Sequence, residues 1–341
     1  MRLAVSALVA GAGLALAGAA SAADYPWQPE QPITIIVPWA AGGSTDQVTR
    51  VVAGELEEAL GQSVVIVNQP GASGSVGTKS AMDAERDGYT WAAGAVQDLG
   101  TYPVLDMLDT RLEDWALFFS VANVGVVGVN ADTPYQTFDE LIAAMKERPG
   151  QVSVATAGIS SAGHNLMEAI AQRAGVEYRH VTYDGGNPAV IATVAGETEA
   201  TTQLASEQAE MIRAGRIRPL AVYSTEPLEL EGHGTIPPIT EFVSGIAPAT
   251  NYFGIWAPKD VPEEVLQTME QVWEERIKDS EALKRYAANR GALFTPIYGE
   301  EAQEKARPAV AQNAWLLHEA GKAQRSPEEF GIERPGSMAR Q

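Results

Sequence analysis

Two glycine-rich stretches carry the residue types best suited to holding a charged ligand. The first is Pro38-Trp39-Ala40-Ala41-Gly42-Gly43-Ser44-Thr45-Asp46. The second is Asn68-Gln69-Pro70-Gly71-Ala72-Ser73-Gly74-Ser75-Val76-Gly77. Glycines let backbone N–H groups approach a ligand with no Cβ in the way. Hydroxyls add donors, and a helix starting at such a loop adds unpaired N–H groups and partial positive charge. That is the chemistry of an anion site. The first loop also reads as a plain turn with Ser44, Thr45 or Asp46 as helix N-cap. Neither stretch is a nucleotide motif. Gly71, Gly74 and Gly77 give G-x-x-G-x-x-G, and no G-K-[ST] follows a glycine loop. The lack of lysine in both loops favours a carboxylate over a phosphate.

Two more small, polar loops follow: Gly158-Ile159-Ser160-Ser161-Ala162-Gly163-His164-Asn165 and Tyr183-Asp184-Gly185-Gly186-Asn187-Pro188. His164 beside Ser160 and Ser161 invites a hydrolase reading, with a serine nucleophile and a histidine base. The nucleophile motif G-x-S-x-G is absent, because Ala162 holds the fifth position counted from Gly158. A hydrogen-bonding histidine is the simpler expectation, and no catalytic residue is assigned. His164, His180, His233 and His318 lack H-x-x-x-H and H-E-x-x-H spacing, so neither a zinc site nor any other cofactor is expected. There are no cysteines, which removes disulfides, thiol nucleophiles and thiolate metal sites. The chain has 44 acidic and 24 basic residues, a net charge of −20, which disfavours nucleic acid and anionic membranes as partners. An anion site on such a chain must be recessed, where charges farther off than about 8 Å are screened.

The loops sit at regular places in an alternating pattern. Ile33–Val37 and Val64–Val67 read as short buried strands, and Tyr89–Ala93 as a third. Between them, residues 47–60 carry apolar side chains at helical spacing, and residues 75–84 read as a second helix. The order β–loop–α–β–loop–α–β implies a parallel sheet, with both glycine loops beyond the carboxyl ends of its strands. The same rhythm resumes after Asn130. It gives helices at 138–146, 163–173, 188–194 and 207–214, with strands at 152–155, 179–181, 198–202 and 219–223. Late helices are expected at 262–288 and 300–320. Phe118–Val129 and Asn251–Ala257 are apolar without helical period, and both read as crossings between two domains.

The start of the chain reads as an export signal. Met1-Arg2 is basic, Leu3 to Ala20 is apolar, and Ala20-Ser21-Ala22 supplies the small residues that signal peptidase reads. The expected organisation is a signal peptide at 1–22, lobe I at 23–122 plus 249–341, and lobe II at 123–248. The expected compartment is the periplasm.

With its loops placed, the chain resembles the Bug/TctC-type solute-binding subunits of tripartite tricarboxylate transporters. The resemblance rests on residues 25–50 (YPWQPEQPITIIVPWAAGGSTDQVTR) and 61–81 (GQSVVIVNQPGASGSVGTKSA), followed by Asp87-Gly88-Tyr89-Thr90. It continues through His164-Asn165-Leu166 with Glu168, Tyr183–Ala189 and Gly254–Pro258. It implies a periplasmic-binding-protein fold of type II, a Venus flytrap of two α/β lobes joined by two crossing strands. It implies a small carboxylate ligand, no enzymatic activity, a monomer, and one large and one small membrane subunit as partners. Carried over residue by residue, one end of the ligand meets Trp39, Ala41, Gly43, Ser44, Thr45, Gly71, Ala72, Ser73 and Ser75. The far end meets Ser161, His164, Tyr183, Asp184 and Thr202. A receptor that presents its ligand to a membrane sensor would share fold and ligand. The chain departs from the family at Trp39, Ala41 and Asp184, where many members have Phe, Pro and Lys. Asp184 disfavours citrate unless its side chain points to solvent.

Overall fold

The computed structural model describes residues 25–335. The expected signal peptide lies outside the described residues. The chain opens as its hydrophobic pattern dictates, with β1 (Ile33–Val37), α1 (Ser44–Leu60), β2 (Val64–Asn68), α2 (Ser75–Met82) and β3 (Thr90–Ala95). β1 pairs in parallel with both β2 and β3. A short helix, α3 (Asp98–Val104), and a long strand, β4 (Trp115–Asn123), complete this part.

The next strand, β5 (Val126–Asn130), belongs to a different sheet, so the chain changes lobe at Val124-Gly125. There follow α4 (Phe138–Glu147), β6 (Ser153–Thr156), α5 (Ala162–Ala174), β7 (Arg179–Thr182), α6 (Gly186–Val194), β8 (Ala200–Thr201), α7 (Ala205–Arg213) and β9 (Ile217–Val222). A hairpin, β10 (Leu228–Leu230) with β11 (Gly234–Ile236), leads towards the return. Ile246 still packs in the second core, while Ala249 packs in the first. The chain ends in the first lobe with β12 (Asn251–Pro258), α8 (Glu263–Glu275), α9 (Glu281–Arg290), β13 (Ala292–Tyr298) and α10 (Gly299–Glu319).

The sheet orders are β13-β4-β12-β3-β1-β2 and β7-β6-β8-β5-β9. Each lobe therefore repeats one plan, and each contains a strand that has just crossed from the other lobe. β12 lies antiparallel between β3 and β4. β5 lies antiparallel between β8 and β9. The expected parallel pairing of the β–α–β units holds, and each sheet adds an antiparallel strand to it, since a strand arriving from the opposite lobe enters against the direction of those units. The fold is the expected two-lobed α/β architecture.

Other local expectations are also revised. Phe118–Val129 is two strands, one in each lobe, and Asn251–Ala257 is a central strand of lobe I preceded by the crossing. β2 is an edge strand with Val65 and Val67 46% and 40% exposed, so it is buried on one face only. Four tryptophans, Trp91, Trp115, Trp256 and Trp273, anchor lobe I with fully buried side chains. Trp273 donates its indole N–H to Phe119 O at 2.7 Å and fixes α8 against β4.

Candidate functional site: a closed cleft between the lobes

α1 begins directly at the first glycine loop. Its N-cap is Gly43, which has extended backbone and offers no side chain to the first helical N–H groups. None of Ser44, Thr45 and Asp46 is the N-cap; they are the first three helical residues. Asp46 instead reaches back, accepting the Gly42 N–H on Oδ2 at 2.9 Å. Its carboxylate also takes the Arg50 guanidinium at 2.8 and 3.1 Å and the Asn68 amide at 2.9 Å. Burial pushes the Asp46 carboxyl up, but the bonds from Arg50, Gly42 and Asn68 outweigh it and hold the group below its usual range. Asn68 also donates to Trp39 O at 3.2 Å. One network thus ties the first loop to the end of β2, where the second loop starts.

The second loop is strained. Ala72 and Ser73 take φ of 43° and 52°, between Gly71 at 139° and Gly74 at 91°. Left-handed backbone at a non-glycine residue costs about 1–3 kcal/mol and persists only when the surroundings enforce it. Here the run aims Ser73 at the opposite lobe. Its Oγ accepts the Ile159 N–H at 3.0 Å, and its carbonyl accepts from Ser160 Oγ at 2.8 Å. Gly77 lets α2 lie against the first loop, because a Cβ there would sit 2.7 Å from Gln69 O and 2.8 Å from Pro38 Cα.

The lobes meet directly across the cleft. The Ala40 N–H donates to Asp184 O at 3.0 Å. Ser44 Oγ accepts from Asn123 Nδ2 of its own lobe at 2.9 Å and from Ser206 Oγ of lobe II at 2.8 Å. The Ser44 N–H, at the start of α1, donates to Glu207 Oε1 of lobe II at 3.0 Å. A carboxyl oxygen therefore does sit at this helix start, and the protein itself supplies it. The other oxygen of Glu207 accepts the Leu204 N–H at 3.2 Å. In the amide orientation that satisfies both of its ends, Gln203 donates to Glu207 Oε2 at 2.9 Å and accepts the Ala157 N–H at 2.7 Å. Gly186, at the start of α6, makes room for this carboxylate, since a Cβ there would fall 2.1 Å from both of its oxygens. Burial pushes the Glu207 carboxyl up to about 7, against the lowering effect of the Ser44 and Leu204 N–H groups.

Beside Glu207 lies a small cavity walled by both lobes, with Trp39 and Phe253 as its large apolar sides. Water centres fit over about 30 Å³ of it, which is room for about two waters. Asp98, at the start of α3, faces it from lobe I, and burial raises its carboxyl well above the usual range. A larger groove of about 300 Å³ runs behind lobe I between α3, α10 and Phe330, and none of these polar groups reaches it.

Of the residues singled out from the sequence, Trp39, Gly43, Ser44, Thr45 and Ser161 line the cavity. Ser73 meets the opposite lobe beside it. Ala41, Gly71 and Ala72 shape the two loops without lining it, and Ser75 Oγ turns back to Ala72 O at 2.9 Å. The far set is dispersed. Thr202 Oγ1 donates to Gly163 O at 2.7 Å and anchors α5. Tyr183 donates to Glu197 at 3.2 Å near the surface, and the Asp184 side chain is exposed. His164 turns into lobe II, where its ring stacks on His180 with centroids 4.3 Å apart and its Nδ1 lies 3.3 Å from Tyr178 Oη. Burial, His180 and Lys322 lower its pKa to about 3. Ser161 caps α5 through its Oγ, which also donates to Gly158 O at 2.8 Å, so it forms no nucleophile–base pair with His164. The sequence reading missed Asp98, Gln203, Glu207 and Phe253. Glu207 is the third residue of a helix that reads as an ordinary amphipathic one, and nothing in its own stretch of sequence marks it out.

Among the described residues no helix is long and apolar enough to cross a membrane, and no cluster of three or more His, Asp or Glu side chains could hold a metal. A family model described as "Tripartite tricarboxylate transporter family receptor" (TctC) matches residues 48–314. Protein BugT of Bordetella pertussis is 30% identical over 319 residues, spanning 92% of this chain and 96% of that protein. Among solved structures, the periplasmic binding protein BugD superposes with a TM-score of 0.79 at 25% identity, covering 87% of this chain and 100% of that one. Rpa4515 of R. palustris, solved with adipate, superposes with a TM-score of 0.78 at 25% identity, covering 86% and 99%. Two lobes of this topology, a cleft closed on a helix start, and a match over most of the chain lead to one conclusion: the chain belongs to the TctC family of tripartite tricarboxylate transporter receptors, solute-binding proteins and not enzymes.

Proposed function

We propose that this protein captures a small carboxylate between its lobes in the periplasm and delivers it to a membrane pair of one large and one small subunit. The observation that carries this reading is the carboxylate of Glu207 on the Ser44 N–H. It marks the start of α1 as a seat that accepts a carboxylate oxygen from across the cleft. Removing a carboxylate from water costs several kcal/mol unless donors replace that water, and the starts of α1 and α5 supply donors from opposite sides. The likeness to Rpa4515, which was solved with adipate, supports the same ligand class.

In this reading residues 1–22 are the export signal. Lobe I comprises 23–122 with 249–341 and lobe II 123–248, with the first boundary moved on to Val124-Gly125 because β4 runs to Asn123, and the receptor acts as a monomer. The contact set is the one carried over above, with its centre at Trp39, Gly43, Ser44, Thr45 and Ser161. The cavity as closed here has room for about two waters, so a ligand enters an open form and the lobes then close over it less far than they stand here.

The test is thermal unfolding of protein stripped of endogenous ligand, against a panel of mono-, di- and tricarboxylates. A ligand at a hundredfold its Kd adds about 2.7 kcal/mol, a rise in midpoint of about 4 °C for a chain of this length. A selective rise supports the assignment. If no acid in the panel moves the midpoint, the carboxylate reading is wrong.

A further inference from the structure

The walls of the cavity carry an unexpected charge for a site meant for polyanions. Asp98 faces it from lobe I and Glu207 from lobe II, and no Lys, Arg or His lines it. Asp98 is 1% exposed, and its Oδ2 has no hydrogen-bond partner. A buried carboxylate oxygen left without a donor is costly and calls for one. Glu207 is better provided, with N–H groups from Ser44 and Leu204 and the Gln203 amide, but it too has no cation beside it. A ligand with two carboxylates would bring two more acid groups into an enclosed space that already holds two, where like charges repel far more strongly than in water.

We propose that the solute carries a cationic amino group together with its carboxylate, and that Asp98 and Glu207 are the counter-charges that select it. This rests on the carboxylate-receptor reading above and narrows its ligand class. The ligand carboxylate takes the helix-start donors that Glu207 does not occupy, and its ammonium lies between the two acids. An ammonium has three N–H donors and no acceptor, so it supplies the unpartnered Asp98 oxygen without competing for the N–H groups already in use. Two acids on opposite lobes also make the amino group a bridge, so that its binding favours closure.

The experiment is calorimetric titration of the stripped full-length protein with matched pairs: alanine and propionate, γ-aminobutyrate and butyrate, glutamate and glutarate. At least one amino acid should bind about 10- to 100-fold tighter than its des-amino partner, the range expected for hydrogen bonds to charged groups. Glu207→Gln and Asp98→Asn, which keep the side-chain shapes, should each erase most of that preference while leaving the unfolding transition cooperative. If des-amino acids bind as tightly as their amino partners, the proposal is overturned and the carboxylate-receptor reading stands. If neither kind binds, both fall. If the preference survives in both variants, Asp98 and Glu207 are not what selects the amine, and the proposal is overturned on that ground.

Discussion

Replacing Glu207 by Gln should change how stability depends on pH, and the structure gives both sign and size. The Glu207 carboxyl is pushed up from an ordinary value near 4.5 to about 7, with burial as the largest cause. Between these values the closed form holds a proton that the open or unfolded chain has released. Stability from this group is therefore complete below about pH 4.5 and is lost as pH rises through about 7. A shift from 4.5 to about 7, at 1.36 kcal/mol for each pKa unit, amounts to about 3 kcal/mol. A chain of about 300 residues has an unfolding entropy of about 0.6 kcal/mol per kelvin, so the change corresponds to about 5 °C. His164 and His180 work in the opposite direction, since burial lowers both, so the wild-type profile alone mixes the two. The informative quantity is the difference in midpoint between wild type and Glu207→Gln, measured by calorimetry from pH 4.5 to 8. The variant should gain about 5 °C relative to wild type between pH 4.5 and about 7 and then level off. A flat difference would refute the placement of this carboxylate in a closed, cation-free pocket. A difference of the opposite sign would mean that a cation reaches it.

Three other outcomes are expected. Gly254→Ala places a Cβ 2.0 Å from Phe118 O and 2.7 Å from Phe119 Cα at a register shift in the central strand pair; these are backbone atoms that cannot step aside, so chemical denaturation should show a loss of more than about 3 kcal/mol. His164→Phe removes a buried imidazole whose pKa is lowered to about 3. Stability that wild type loses as pH falls from 6.5 towards 3, up to about 5 kcal/mol, should then no longer be lost, and acid unfolding curves will show it. Lys322→Met removes the 2.5 Å partner of Glu168, a side chain on α5 that is 5% exposed as a residue and otherwise held by Tyr178. Because the lysine is itself partly exposed, the loss should be about 1–2 kcal/mol, read as a lowered urea midpoint.

Elements whose signal lies in their own residues were legible in the sequence. β1 is marked by its run of β-branched residues, and α1 by Val48, Val52, Leu56 and Leu60 ending at Gly61 in left-handed conformation. The helix-start loops were legible too, because glycine followed by hydroxyl residues can be read locally. What could not be read depends on residues far apart in the chain. β13 has Pro296 in its interior and runs along an edge, so its pattern says little until β4 is beside it. β12 looked like a link because nothing in its own residues tells a link from a buried central strand. At the site, the family pattern led to Ser44, but not to the Glu207 carboxylate on its N–H. That contact joins residues 163 positions apart, and Glu207 in its own helix looks like an ordinary solvated acid. His164 illustrates the reverse error. A histidine at a helix start near serines looks functional, yet it stacks on His180 inside the lobe.

The exchange of strands between the lobes bears on the order in which the chain can fold. All five strands of the second sheet lie between Val126 and Val222, one continuous stretch. The first sheet is different. β3 and β4 are both made early, but β12, which stands between them, arrives only from Asn251 onward, and β13, the other neighbour of β4, later still. Until then β4 has no partner in its sheet and β3 presents an open edge, the kind of surface that pairs with other chains. Pairings this distant in sequence form slowly. A chain appearing from its N-terminus can complete its second lobe while the first is half built, so the lobe that begins the sequence is the last to finish.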